Sequence, residues 1–153
     1  MINENNLYSL RKPLTYEEWK SYHLIRKVNI FDPLNIIYDP THPSLKALNN
    51  YHFLFFKHQE IFGTVQLDLL KNGMAALRSV VIKDPYKNQG YGSILLKLIE
   101  ETAKQFHCRV ILLHANNNAL AFYKKNGYVF MDFPNDISIS SNTTNMGKTL
   151  ESI

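Results

Sequence analysis

The sequence predicts an α/β fold of the α+β kind, a mixed sheet with helices packed against it. Three observations carry this reading. An Asn72-Gly73 pair joins two apolar runs, the signature of an antiparallel hairpin with φ > 0 at both central residues. The apolar period then changes to that of a helix, through Ile94, Leu95, Leu98, Ile99, Ala103 and Phe106. A compact apolar run, VILLHA, a second short helix and a further strand complete a β-α-β-α unit joined to the meander.

Each element has a local cause. Residues 8–12 read as a short first strand. Thr15 followed by Glu18 is a capping box, so a helix is expected through YEEWKSYHLIRKVNIF, ending before Pro33. The next stretch holds Pro33, Pro40 and Pro43 and reads as a loop or broken helix. Strands are expected at 53–57, 61–70 and 74–82, the last two paired across Lys71-Asn72-Gly73. Glu100 four residues before Lys104 supports the long helix. Asn118 is the expected N-cap of the short helix, and Gly127 marks its end. Residues 128–133 read as another strand, and the loosely alternating tail from 135 onward offers a last one.

Composition narrows the function. The chain has 153 residues, 45% hydrophobic and 20% charged, which suits a single domain over 1–153 with a substantial core. Lys and Arg number 17 against 13 Asp and Glu, a formal net charge of +4. The positive residues are scattered, so no nucleic-acid partner is expected, while a small anionic ligand would suit the balance. Cys108 is the only cysteine, which excludes an intrachain disulfide and a multi-cysteine zinc site. His42, His52 and His58 lack metal-ligand spacing, so no metal is expected. No apolar run approaches the ~18 residues of a membrane span, and MINENNLYSL lacks the pattern of a secretory signal. The expected compartment is the reduced cytoplasm.

Function turns on DPYKNQGYGSILLKL. Gly90 and Gly92 sit between a strand and a helix, where unpaired N–H groups and the helix dipole favour an anion and glycine lets it approach. A G-x-G before a helix is equally a tight turn. No Walker A string occurs, and Leu95 stands where a dinucleotide fingerprint needs its third glycine. The string KNQGYG resembles the [RQ]-x-x-G-x-[GA] loop of the GNAT superfamily of acyl-CoA-dependent N-acyltransferases, with Lys87 in place of Arg or Gln. Downstream, NNNALAFYKKNGY resembles that family's N-x-x-A-x-x-[FLY]-Y-x-x-x-G-[FY] signature from Asn116 to Tyr128. The two signatures stand in the family's order, one helix and one strand apart, and the resemblance covers roughly 53–133.

The resemblance implies a mixed, mostly antiparallel sheet of about 6–7 strands, with a splayed strand pair at the acyl-CoA site. It implies acetyl-CoA as acyl donor, with the pyrophosphate on Lys87, Asn88, Gln89, Gly90, Tyr91, Gly92 and Ser93. The pantetheine arm would pair with Val80, Val81 and Ile82, where one backbone N–H polarises the thioester carbonyl. Asn116 would bond the same arm, and Tyr123 would be the general acid. No carboxylate occupies the strand positions where such families place a base; His114 is the tentative base, with Asp68 and a water chain as alternatives. Lys124 and Lys125 read as phosphate partners or as a solvated face. The acceptor, a small-molecule or protein amine, would meet the first helix and the loop around Arg26, Tyr38, Asp39 and His42. A homodimer is among the expectations. A non-catalytic acyl-CoA sensor or scaffold and a nucleotide-binding oxidoreductase are the competing readings.

Overall fold

The computed structural model describes residues 7–134 and 142–151. Among them, seven strands form one sheet: β1 (Tyr8–Arg11), β2 (Asn50–Lys57), β3 (Glu60–Leu69), β4 (Met74–Ile82), β5 (Val110–Asn116), β6 (Val129–Phe130) and β7 (Thr143–Thr149). Their spatial order is β1-β2-β3-β4-β5-β7-β6. Every neighbouring pair is antiparallel except β4–β5. That pair is parallel because α2 (Tyr91–Gln105) carries the chain back across the sheet. The mixed sheet flanked by helices agrees with the sequence reading.

The hairpin between β3 and β4 forms as its turn chemistry requires. Asn72 and Gly73 have φ of 63° and 73°, and Met74 N donates to Lys71 O at 3.3 Å. The capping box also forms at α1 (Tyr16–Arg26): Glu18 N donates to Thr15 Oγ1 at 3.1 Å, and Thr15 N to Glu18 Oε1 at 3.3 Å. Arg11 closes on the same carboxylate and, with Leu14 N, holds it well below the usual range, at about 2.

The first helix ends earlier than expected. Regular α-helix stops at Arg26, a widened π-turn runs Lys27–Phe31, and a 3-10 turn, Asp32–Leu34, closes on Asn35 in the left-handed region at φ 56°. Asn29 Nδ2 donates to Ile25 O at 2.8 Å, taking the carbonyl that an α-helical Asn29 N–H would use. Pro33 lacks the N–H needed to continue.

Three further boundaries shift. Asn116, not Asn118, supplies the cap: its Oδ1 accepts from Asn118 N at 3.0 Å, above a 3-10 turn Asn117–Ala119, and α3 begins later, Leu120–Lys125. Strand β6 is shorter than the expected 128–133, because Phe133 turns away to stack on His114, ring centroids 4.2 Å apart, and Pro134 follows without an N–H. The tail supplies β7, which inserts between β5 and β6; residues 135–141 of that expectation lie outside the described residues.

The sheet buries both faces. On one, α2 and α3 cover Phe55, Val65, Leu67, Leu77, Ile111 and Leu113, with Leu95, Leu96 and Ile99 completing the core. On the other, Tyr22 of α1 packs on Leu54 and Phe56.

Candidate active site

Strands β4 and β5 pair only over four residues each, 74–77 with 110–113. Beyond that point β4 stays with β3 and β5 stays with β7, so 78–82 and 114–116 diverge. The divergence has a backbone cause. The β3–β4 register shifts between Gln66↔Arg78 and Thr64↔Val81, leaving Ser79 as an extra residue with φ 54°. A bulge of this kind bends its strand and increases the local twist. Across from it, Gly63 lies so close to β4 that a Cβ there would sit 2.1 Å from Val81 O. Gly63 and the bulged Ser79 together hold β4 on β3 while it turns away from β5.

The wedge between the splayed strands is a cavity of about 510 Å³. It is lined by Val80, Val81, Ile82, Lys87, His114, Asn116 and Tyr123, seven of the residues singled out from the sequence. Beyond Leu77, the β5-facing edge of β4 has no strand partner among the described residues. It offers backbone donors and acceptors to an extended ligand, as a sheet edge does.

The glycine loop sits at the start of α2. Asn88 and Gly90 take positive φ, 63° and 89°, and Gly90 is the N-cap without a side-chain capping bond. The first-turn N–H groups of Tyr91, Gly92 and Ser93 therefore have neither an intrahelical acceptor nor a capping oxygen, and the first turn carries no acidic residue. A Cβ on Gly90 would meet nothing within 4 Å, so the space above the loop is open. These are the features of an anion cradle. Gly92 serves another purpose: a Cβ there would lie 2.9 Å from the Phe122 ring, so it lets α3 approach α2. The Tyr91 ring contacts Tyr8 and Phe62 and its hydroxyl accepts from Lys57, so its side chain points away from the loop's open side into the packing below. Gln89 Nε2 braces the loop through Pro85 O at 2.9 Å. Lys87 Nζ reaches Asn29 Oδ1 at 3.1 Å, tying the loop to the turn after α1.

Burial pushes the Tyr123 phenol up to about 12, so it keeps its proton at neutral pH. His114 Nδ1 lies 2.7 Å from Asn145 Oδ1; an amide oxygen only accepts, so Nδ1 carries the proton and Nε2 the basic lone pair. Asp68 is engaged elsewhere, by Gln66 Nε2 at 2.8 Å and Arg78 Nε at 3.1 Å, and does not line the cavity. Lys124 and Lys125 lie outside it too; Lys124 stands over the Phe130 ring. No carboxylate lines the cavity among the described residues.

The sequence reading missed Asn29, Ile30, Leu34 and Arg78, which also line it. For Asn29, Ile30 and Leu34 the one signal was DPL at 32–34, the tripeptide that ends the helix and folds this segment over the strands; Arg78, on β4 beside the bulge, had none. No group of three His, Cys, Asp or Glu among the described residues is placed to hold a metal ion, and no helix among them is long and apolar enough to cross a membrane.

A mixed seven-strand sheet whose parallel pair, β4–β5, parts beyond four paired residues and is joined by the crossover helix α2 defines an open-sheet α/β architecture. Residues 5–128 match the family model described as the acetyltransferase (GNAT) family, and the chain belongs to that family. It is 47% identical over 55 residues to the uncharacterised protein YdhI of Bacillus subtilis, 33% of this chain and 34% of that one, so it spans about a third of this curated relative. The fold is also that of a GNAT-family acetyltransferase from Staphylococcus aureus Mu50, with a TM-score of 0.74 at 22% identity, over 94% of this chain and 99% of that one. A second similar structure is the PaiA N-acetyltransferase of Thermoplasma acidophilum in complex with coenzyme A, with a TM-score of 0.69 at 18% identity, over 93% and 98%.

Proposed function

We propose that this chain is an N-acetyltransferase that moves an acetyl group from acetyl-CoA to a primary amine by direct attack in a ternary complex. The observation that carries the reading is the opening of β4 from β5, which leaves an unpaired strand edge and Tyr123 on one cavity; of the glycine loop only Lys87 lines it, and residues 88–93 lie outside that lining.

Acetyl-CoA supplies an activated thioester. The backbone of 88–93 would hold its pyrophosphate, and Lys87 would add positive charge. The β4 edge at Val80, Val81 and Ile82 would pair with the pantetheine amides, and one N–H there would stabilise negative charge on the carbonyl oxygen. Asn116, whose Oδ1 already takes the Asn118 N–H, would add a side-chain contact to the same arm. His114 Nε2 would take a proton from the attacking amine, and Tyr123 Oη would give one to the departing sulfur. The amine would enter beside Ile30, Leu34 and Arg78, which close the cavity on the α1 side. The workplace we assign is the cytoplasm.

A second reading, an acyl-CoA sensor without catalysis, is favoured by one observation: no carboxylate lines the cavity among the described residues. Thiol release from acetyl-CoA over a panel of primary amines separates the two. Turnover with any amine that falls in Tyr123→Phe supports the enzyme. Acetyl-CoA binding without turnover across the panel supports the sensor, and stabilisation by NAD in place of acetyl-CoA overturns both.

A further inference from the structure

Across the 27–34 turn from the active-site cavity lies a second one, of about 290 Å³, lined by Arg26, Phe31, Ile36, Ile37, His42 and Leu45 among others. No residue is shared between the two linings. Arg26 is 6% exposed. A buried guanidinium is strongly disfavoured unless its charge and its donors are matched.

Among the described residues they are not. Arg26 forms no ion pair with a carboxylate, and its Nε is buried with no hydrogen-bond partner. One bond is made, from Nη1 to Tyr22 Oη at 3.1 Å, and the guanidinium stands over the Tyr22 and Tyr38 rings at 5.0 and 5.8 Å. The polar chain behind it is fixed in direction. His52 Nε2 faces the Ser44 carbonyl at 3.1 Å and so donates, which makes Nδ1 the acceptor of the Tyr22 hydroxyl proton at 2.5 Å. Burial lowers the His52 pKa and keeps that ring neutral. The chain therefore absorbs one donor of Arg26 and brings no negative charge to it.

The groups around the cavity add one more donor. His42 Nδ1 accepts from Ser44 N at 3.1 Å, so the neutral ring carries its proton on Nε2. Asp39 also lines the cavity, but its carboxylate accepts from Thr41 N at 2.8 Å and Thr41 Oγ1 at 2.7 Å. Tyr38 and Ser44 also line it, their hydroxyls on His23 Nδ1 at 2.5 Å and His42 Nδ1 at 2.8 Å, and the remaining walls, Phe31, Ile36, Ile37 and Leu45, are apolar.

We infer that this cavity is a binding site for a small aliphatic monocarboxylate, its carboxylate on Arg26 and His42 and its chain on the apolar wall. One buried cation with Asp39 at the rim favours a single negative charge over a phosphate dianion. The site is separate from the acyl-CoA cavity and does not depend on the activity proposed above.

Isothermal titration of the full chain with hexanoate, hexanamide and hexylamine tests this, with the His42 ring resonances as the local probe. Hexanoate binds saturably and shifts His42; hexanamide binds at least about tenfold more weakly, the loss expected when a charge-assisted bond becomes neutral. Arg26→Lys, which loses the planar fork, weakens hexanoate by a similar factor. Ile37→Glu does the same by placing a carboxylate at the mouth; Ile37 is 91% exposed, so this variant tests the site even if Arg26→Lys does not fold. Saturating coenzyme A leaves hexanoate binding unchanged. Equal affinity for acid and amide, no saturable hexanoate binding, or displacement by coenzyme A overturns the inference.

Discussion

Replacing Gly63 by alanine strikes the feature that opens the sheet. The new Cβ would lie 2.1 Å from Val81 O, more than an ångström inside ordinary contact, and the atom it meets is backbone. No side chain can rotate away, so β3 or β4 must move. Overpacking of this kind costs about 1–3 kcal/mol, a fall in Tm of roughly 3–10 °C for a chain this size. The displaced strand is also the edge assigned to the pantetheine arm and the thioester carbonyl. A shift near 1 Å there costs on the order of 10²-fold in turnover. Gly90→Ala is the control for stability without ligand only, since its Cβ would enter the proposed cradle: φ is 89° but a Cβ meets nothing within 4 Å, so in the unliganded chain only the backbone cost of about 1 kcal/mol applies. The assay is thermal unfolding of both variants with and without acetyl-CoA, followed by thiol release. Gly63→Ala should lose more stability than Gly90→Ala and should lose most of the acetyl-CoA-induced rise in Tm. An unchanged Tm with an unchanged ligand shift would refute the claim that this close approach holds β4 in place.

Tyr123→Phe should lower kcat by about 10²–10⁴-fold with little change in KM for acetyl-CoA, as loss of a general acid does; steady-state thiol release measures both. Tyr123 also predicts alkaline behaviour. Its folded pKa is raised to about 12, so the stability it contributes is fully present below the unfolded value near 10 and is lost as pH rises from there toward 12. Chemical denaturation at pH 8 and pH 11 should show the fall, and Tyr123→Phe should reduce it. At the other end, Glu18 is held at about 2, so its contribution is present above pH ~4.5 and disappears as pH falls toward 2; Glu18→Gln should flatten that limb in urea melts. Ser79→Val should destabilise the protein by more than 1 kcal/mol, roughly, because a β-branched residue at φ 54° is strained, while Ser79→Gly should be near neutral.

The elements were legible where the cause is local. Asn72-Gly73 states its own φ signs, the reciprocal bonds of Thr15 and Glu18 span three residues, and the apolar spacing of α2 is internal to one helix. The cradle was legible for the same reason, since Gly90 sits at the junction of a strand and a helix. The boundaries that shifted depend on distant partners. Phe133 leaves β6 for His114, a residue 19 positions earlier, and Asn116 rather than Asn118 caps because the 3-10 turn comes first. Gly63 was a glycine inside a strand, which marks a bulge or a close approach, yet nothing in the local string says which strand approaches it. The same holds for Arg78 and Asn29, brought to the cavity by the bulge and by the turn after α1.

That dependence explains why the two halves of the site differ in legibility. The half assigned to the cofactor is made of backbone: an edge strand and a helix start. Backbone sites need glycines and turn residues at fixed spacing, and spacing is written in the chain. The half assigned to the acceptor is made of side chains from the 27–34 turn and β4, meeting across the sheet. Any residue of suitable size and polarity can occupy such positions, because each is constrained by its neighbours in space and by none in sequence. Arg26 shows the consequence. In the chain it is one basic residue in a helix; in the fold it is a buried cation whose hydrogen bonds run through Tyr22 and His52 to Ser44, 18 residues away. Its chemistry exists only once α1 lies on β2, in a cavity that shares no lining residue with the one between β4 and β5, which is why no string in the chain announces it.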